Sequence, residues 1–211
     1  MAKKESSLMT LMLSLTIITL VAASALAAVY SMTKSPIEQS KLAKKNNAIQ
    51  LVLPGFDASK GKIEPIKFAF EGEKDSLTVY LAILDNSIYG AAVETFTNKA
   101  FSGRFDIMVG FDKEGKVLGS EVLKHNETPG LGDKIDKSKN DFSLQFVGRK
   151  LNGTPLTVKK DGGDVDAITA ATISSRAFCD AVDRAFSAYS SVKEQHSLSS
   201  KSDSTSTETN Q

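Results

Sequence analysis

Disulfide partners and soft metal ligands are nearly missing from this chain. Its 211 residues include one cysteine and two histidines. No internal disulfide can form, and there are too few thiolate and imidazole groups for a zinc or iron–sulfur centre. Cys179 falls among apolar residues at helical spacing and reads as a small core hydrophobe, with only Arg176 near it in sequence to activate a thiol. An excess of either charge is lacking too. The 26 basic and 25 acidic residues leave a formal net charge of +1, which suggests neither a nucleic-acid surface nor a funnel for acidic substrates. There is no internal repeat, and the length suits one domain with appendages.

What the chain does have is an uncharged apolar run from Leu8 to Tyr30, behind a short polar tail of residues 1–7. As a helix rising about 1.5 Å per residue it is long enough to cross a bilayer of about 30 Å. Ala25-Leu26-Ala27 also resembles a signal-peptide cleavage site, but the run exceeds the usual apolar core of about 7–15 residues, which favours an uncleaved anchor. Lys3 and Lys4 before the run and Lys34, Lys41, Lys44 and Lys45 after it give no clear orientation. Residues 31–50 are expected to form a juxtamembrane linker or helix, 51–190 an exported domain, and 191–211, nearly all polar, a disordered tail.

Within the exported part, Pro54, Gly55, Gly61, Pro65 and Gly72 predict turns from Leu51 to Glu73. Strands are predicted at Leu77–Leu84, near Ile88–Phe96, and at Arg104–Phe111 with Lys116–Leu123, the last two joined by the turn Asp112-Lys113-Glu114-Gly115. A further strand is predicted at Leu156–Val158, while Asp136–Arg149 has no clean period. Phe178, Ala181, Val182, Ala185, Phe186 and Tyr189 mark a closing helix that begins near Thr172–Ser175. Strands followed by a packing helix imply an α+β fold with an antiparallel sheet.

Two stretches are candidates for chemistry. Asp166-Ala167-Ile168-Thr169-Ala170-Ala171-Thr172-Ile173-Ser174-Ser175 opens the closing helix. Its hydroxyls can be plain helix caps, or its free N–H groups can meet a phosphate, with small alanines letting a ligand approach. His125-Asn126-Glu127-Thr128-Pro129-Gly130-Leu131-Gly132 leaves the preceding strand. Pro129, Gly130 and Gly132 give this loop a defined shape, and Glu127 can either approach a ligand or satisfy loop N–H groups. His125 has no partner at metal-ligand spacing and reads as a loop-structuring residue.

Asp-x-x-Thr-Ala-Ala-Thr at 166–172 resembles the flavinylation motif of the FMN-binding domain family, and His-x-Glu-Thr-Pro-Gly-Leu-Gly at 125–132 resembles the second signature of that family. Ala170 stands where glycine is frequent. The resemblance spans about Leu77 to Tyr189, and reaches the anchor only by type. It implies FMN joined covalently through its phosphate to Thr172. Asp166, Thr169, Ala170 and Ala171 would be read by a separate flavin transferase, and Thr169, Ser174 and Ser175 would hydrogen-bond the phosphate. Glu127, Thr128, Gly130, Leu131 and Gly132 would lie against the flavin. No residue is assigned a catalytic role of its own, and no metal ligand set is expected.

The function so implied is electron carriage in a membrane-bound ion-translocating oxidoreductase. The Rnf type, passing electrons between ferredoxin and NAD⁺ with Na⁺ or H⁺ transport, suits this length better than the sodium-translocating NADH:quinone reductase. Its partners would be other membrane subunits. The expected place is the bacterial inner membrane, single-pass, with the FMN domain on the periplasmic side. A membrane-tethered binding module without redox chemistry and a stand-alone extracytoplasmic flavin carrier are the competing classes.

Overall fold

The computed structural model describes residues 8–57, 59–85 and 87–205, with 198–205 described in their backbone alone. The chain divides into two compact units at Lys45/Asn46. Helix α1, Leu8–Val52, contains Pro36 and joins the apolar run to the predicted juxtamembrane segment without a break. Its exposed apolar stretch is long enough to cross a membrane. Ser14, Thr16, Thr19 and Ser24 fold their hydroxyls back onto carbonyls one turn earlier at 2.8–3.0 Å. Each of these polar groups is thus satisfied within the helix, as a lipid environment requires.

The second unit is built on a five-stranded antiparallel meander: β1 Lys62–Ala69, β2 Ser76–Leu84, β3 Ser87–Thr97, β4 Phe105–Asp112 and β5 Val117–Lys124, in that spatial order. Alternation along the strands sends Val79, Val93, Ile107, Val109 and Phe111 to one face. There they meet helix α2, Thr172–Thr205, through Phe178, Ala181, Val182, Ala185 and Tyr189. Tyr189 stacks on Phe111 at 5.4 Å, and its hydroxyl donates to the Asp112 carbonyl at 2.9 Å, tying α2 to the β4–β5 turn. The opposite face buries Ala82, Ala92 and Met108 under Ala48, Ile49, Val52 and Leu53, at and just beyond the end of α1. Gly110 makes that approach possible, since a side chain there would meet Val52.

The predicted α+β class and four of the five predicted strands are present. Three elements differ from expectation. Pro65 lies inside β1, predicted as turns; β1 is an edge strand, where a missing N–H can face outward. Leu156–Val158 is no strand. Its Leu156 N–H is taken by the Asp183 carboxylate at 2.8 Å, and only an isolated parallel bridge joins Val158 to Val165. The polar tail expected to be disordered from 191 continues α2 through Thr205, because buried Val192 extends the apolar stripe and no Gly or Pro ends it. Residues 206–211, like Asn86 between β2 and β3, lie outside the described residues. Short 3-10 helices at Gly132–Ile135 and Asp141–Phe146 account for the aperiodic stretch.

Candidate functional site

The meander decides which loops meet. β3 ends, β4 begins and β5 ends at the same end of the sheet, as the pairs Thr97 with Phe105 and Asp106 with Lys124 establish. The β3–β4 loop and the loop leaving β5 therefore emerge side by side. Helix α2 is pinned to this end by the Asp180 carboxylate, which accepts from the Thr97 hydroxyl at 2.7 Å and pairs with Lys99.

Between these elements lies a cleft of about 310 Å³, lined by Phe101, by Glu127, Thr128, Leu131 and Gly132, and by residues 170–174. Both candidate stretches, far apart in sequence, border it. Thr172 is the first residue of α2 and half-buried, at the terminus where helix N–H groups lack intrahelical partners. The turn before it is set by Ser175, whose hydroxyl accepts the Ile168 N–H at 2.9 Å and donates to the Ala171 carbonyl at 3.0 Å. Ala170 is held there at φ 62°, a left-handed conformation natural to glycine. The position where the family resemblance favours glycine is thus one where the backbone demands it.

Glu127 holds the walls together. It is 4% exposed; one carboxylate oxygen accepts the Ser102 N–H at 2.8 Å and the other accepts the Ser174 hydroxyl. Its own N–H donates to His125 Nδ1 at 3.2 Å, so His125 structures the loop. Thr128, Pro129 and Gly130 make a tight turn, with Gly130 at φ 77° and the Leu131 N–H on the Thr128 carbonyl at 3.1 Å. A side chain at Gly132 would strike both the Glu127 carboxylate and the Ser174 hydroxyl.

Of the predicted site residues, Glu127, Thr128, Leu131, Gly132, Ala170, Ala171, Thr172 and Ser174 line this cleft. Gly130 shapes its wall without lining it. Ser174 and Ser175 are 1% and 0% exposed, and their hydroxyls are bonded within the protein rather than offered to a phosphate. Asp166 and Thr169 border a neighbouring depression with Lys134 and Gln145. There Gln145 takes both backbone groups of Asp166, and the exposed Asp166 carboxylate pairs with Lys159. Phe101 and Ile173 were missed by the sequence prediction. The available signal was apolarity out of place: an aromatic in a polar turn, and an isoleucine off the buried stripe of α2.

No Lys, Arg or His is among the residues lining the cleft. Arg176, one turn along α2, is committed to Asp161 by two hydrogen bonds of 2.6 and 2.7 Å, which hold the Asp161 carboxyl below its ordinary range. Cys179 is buried in the core behind, its thiol pushed up to about 12 by desolvation and then by Asp183. The lining therefore fits a largely apolar ligand carrying one negative charge at the helix terminus.

A family model described as FMN-binding domain matches residues 101–187. The chain is 36% identical over 165 residues to the G subunit of the ion-translocating oxidoreductase complex of Salmonella typhimurium, covering 75% of this chain and 80% of that protein. It is 37% identical over 164 residues to the protein of the same name from Escherichia coli K12, with the same coverage. Against that of Erwinia tasmaniensis it is 44% identical over 109 residues, covering 50% of this chain and 52% of the relative.

Proposed function

This chain belongs to the family formed by the G subunits of ion-translocating oxidoreductase complexes, and from that premise we propose that it carries electrons on an FMN esterified to Thr172. The observation that carries the proposal is the meeting of the 125–132 loop and the 166–172 stretch around one cleft with Thr172 in its wall. When bound, FMN supplies the electron-accepting and electron-donating chemistry. The chain's own residues supply attachment, an apolar seat and a membrane tether.

Charge explains why the bond is covalent. A phosphate monoester carries about −1.5 to −2 at pH 7, and a cleft without a cation that already holds the Glu127 carboxylate binds such a group poorly. Joining Thr172 Oγ to the phosphorus leaves a diester of single negative charge, which the N-terminus of α2 can offset.

The carboxylate in the cleft, Glu127, is taken by Ser102 and Ser174 and is not free to accept the Thr172 proton, so a separate flavin transferase performs the step. With FAD as donor, the Thr172 oxygen attacks the FMN-side phosphorus, the pyrophosphate bond breaks, AMP leaves, and the hydroxyl proton passes to the transferase. The exposed Asp166 and the neighbouring Thr169 form the stretch that enzyme reads. Apolar α1 anchors the protein in the membrane beside the other members of its complex, with the FMN domain on the periplasmic side. Among the classes suggested by sequence, the names of the relatives favour the ion-translocating oxidoreductase over the sodium-translocating quinone reductase and the non-redox module.

The test is the intact mass and visible absorbance of the full chain matured with a flavin transferase. A gain equal to FMN less water, absent from Thr172→Ala, is expected. A wild-type chain that stays unmodified beside an active transferase overturns the proposal.

A further inference from the structure

Three apolar side chains stand in water at the rim of the cleft, each from a different element. Phe101 in the β3–β4 loop is 70% exposed, Ile173 in the first turn of α2 is 46% exposed, and Leu131 in the β5 exit loop is 42% exposed. The other phenylalanines of the second unit are buried or packed against a core cluster, so an aromatic held outward on an ordered loop needs a reason. The loop holding Phe101 is fixed at both ends. The next residue, Ser102, gives its N–H to Glu127, and Gly103 closes a turn onto the Ala100 carbonyl at 3.3 Å. Arg104 is bonded to Asp75 and Asp106 at 2.7 and 2.8 Å while its guanidinium lies 4.0 Å from the centre of the Phe96 ring. The backbone around Phe101 is thus set by contacts that leave its ring unused, facing the cleft that holds Thr172.

We propose that Phe101 is the positioning residue for the isoalloxazine, the wall on which the ring of the Thr172-linked FMN packs, with Leu131 and Ile173 completing an apolar seat. The occupant follows from continuity: these side chains border the same cleft as the attachment oxygen, and a flat, largely apolar ring stacks on an aromatic face. Glu127 keeps this wall in register with the attachment helix, since one carboxylate spans the Phe101 loop and Ser174. The inference rests on Thr172 carrying the flavin.

The chain contains no tryptophan, so Phe101→Trp introduces a single indole at the proposed contact. The full chain and the variants Phe101→Ala, Phe101→Trp and Phe101→Trp/Thr172→Ala are matured with the transferase and examined by intact mass, thermal melting and fluorescence. Because the side chain is exposed, both Phe101 variants are expected to melt with the wild type before maturation, and both should gain the FMN mass on maturation. Phe101→Trp should lose most of its flavin emission, its indole emission should return in the Thr172→Ala background, and Phe101→Ala should open the flavin to iodide quenching. A modified Phe101→Trp with wild-type flavin emission, or a modified Phe101→Ala with wild-type iodide quenching, overturns this inference and leaves the attachment intact. An unmodified wild type overturns both.

Discussion

Two clefts at the sheet and helix α2 offer opposite chemistry. The one at Thr172 is apolar at its rim and has no basic residue in its lining. The other, about 520 Å³, is framed by the cations Lys74, Lys99 and Arg184 and by an equal number of carboxylates, Glu73, Asp75 and Asp180. A phosphate would be expected in the second if its basic residues were read without their partners. Yet Arg184 is taken by Glu73 through two hydrogen bonds of 2.7 and 2.6 Å and lies 4.8 Å from the centres of Phe70 and Phe96, while Lys99 is paired with Asp180. Paired cations hold α2 against the sheet there, and in the first cleft the proposed bond to Thr172 would do what a free cation does elsewhere. The difference teaches that basic residues mark an anion site only when their charge is left over.

The sharpest break of this contrast is Thr172→Ala supplied with excess free FMN. With no cation to hold a dianion, the variant should retain no flavin through gel filtration; retention would mean the first cleft binds phosphate without the bond. Next come paired substitutions. Ser174→Ala leaves one Glu127 oxygen buried without its donor, and Arg184→Ala removes the Glu73 pair. Ser174→Ala should cost about 1–3 kcal/mol in denaturant unfolding, and Arg184→Ala, whose Glu73 partner is exposed, about 0–1 kcal/mol. Only Ser174→Ala should also slow flavin attachment, read as the rate of mass gain.

A smaller effect is expected from Asp183, which lies outside both clefts. Burial raises its carboxyl to about 6, opposed by the Leu156 N–H and assisted by Asp180. Between the ordinary value of 3.8 and about 6 the folded chain keeps a proton that the unfolded chain has released. The stability this contributes is full below the ordinary value and is lost as pH rises through the folded one. Asp183→Asn keeps an acceptor for Leu156 and cannot ionise, so its melting temperature should gain on the wild type as pH rises through that window. The smallest effect is Ala170→Gly. Relief of the left-handed alanine, set against the extra freedom of glycine in the unfolded chain, should stabilise by about 0.5–1 kcal/mol without loss of attachment.

Much of the fold could be read locally. Alternation gave β2 to β5 nearly to the residue, and the Asp112–Gly115 turn appears as expected, with Gly115 at φ 83°. Local patterns failed where a distant partner decides the outcome. Pro65 is tolerated because β1 lies at the edge, and Leu156–Val158 is drawn from strand geometry by Asp183 of α2. In the site, Thr172 and the two motif stretches were legible, whereas the commitments of Ser174 and Ser175 were not. Three neighbouring hydroxyl-bearing residues at 172, 174 and 175 look alike in sequence. Their helical positions turn the last two inward and leave the first at the cleft.

By itself the sequence determined the apolar run of α1, strands β2 to β5, the start of α2 and the two candidate stretches. Each of these depends on residues within a turn or a strand of one another. Only the tertiary structure decided that the two stretches share a cleft, that Glu127 locks its walls, that Phe101 faces it, and that Lys99, Arg176 and Arg184 are already paired. A hydrogen bond or an ion pair between distant residues depends on where the meander and α2 bring them, and no local pattern records that.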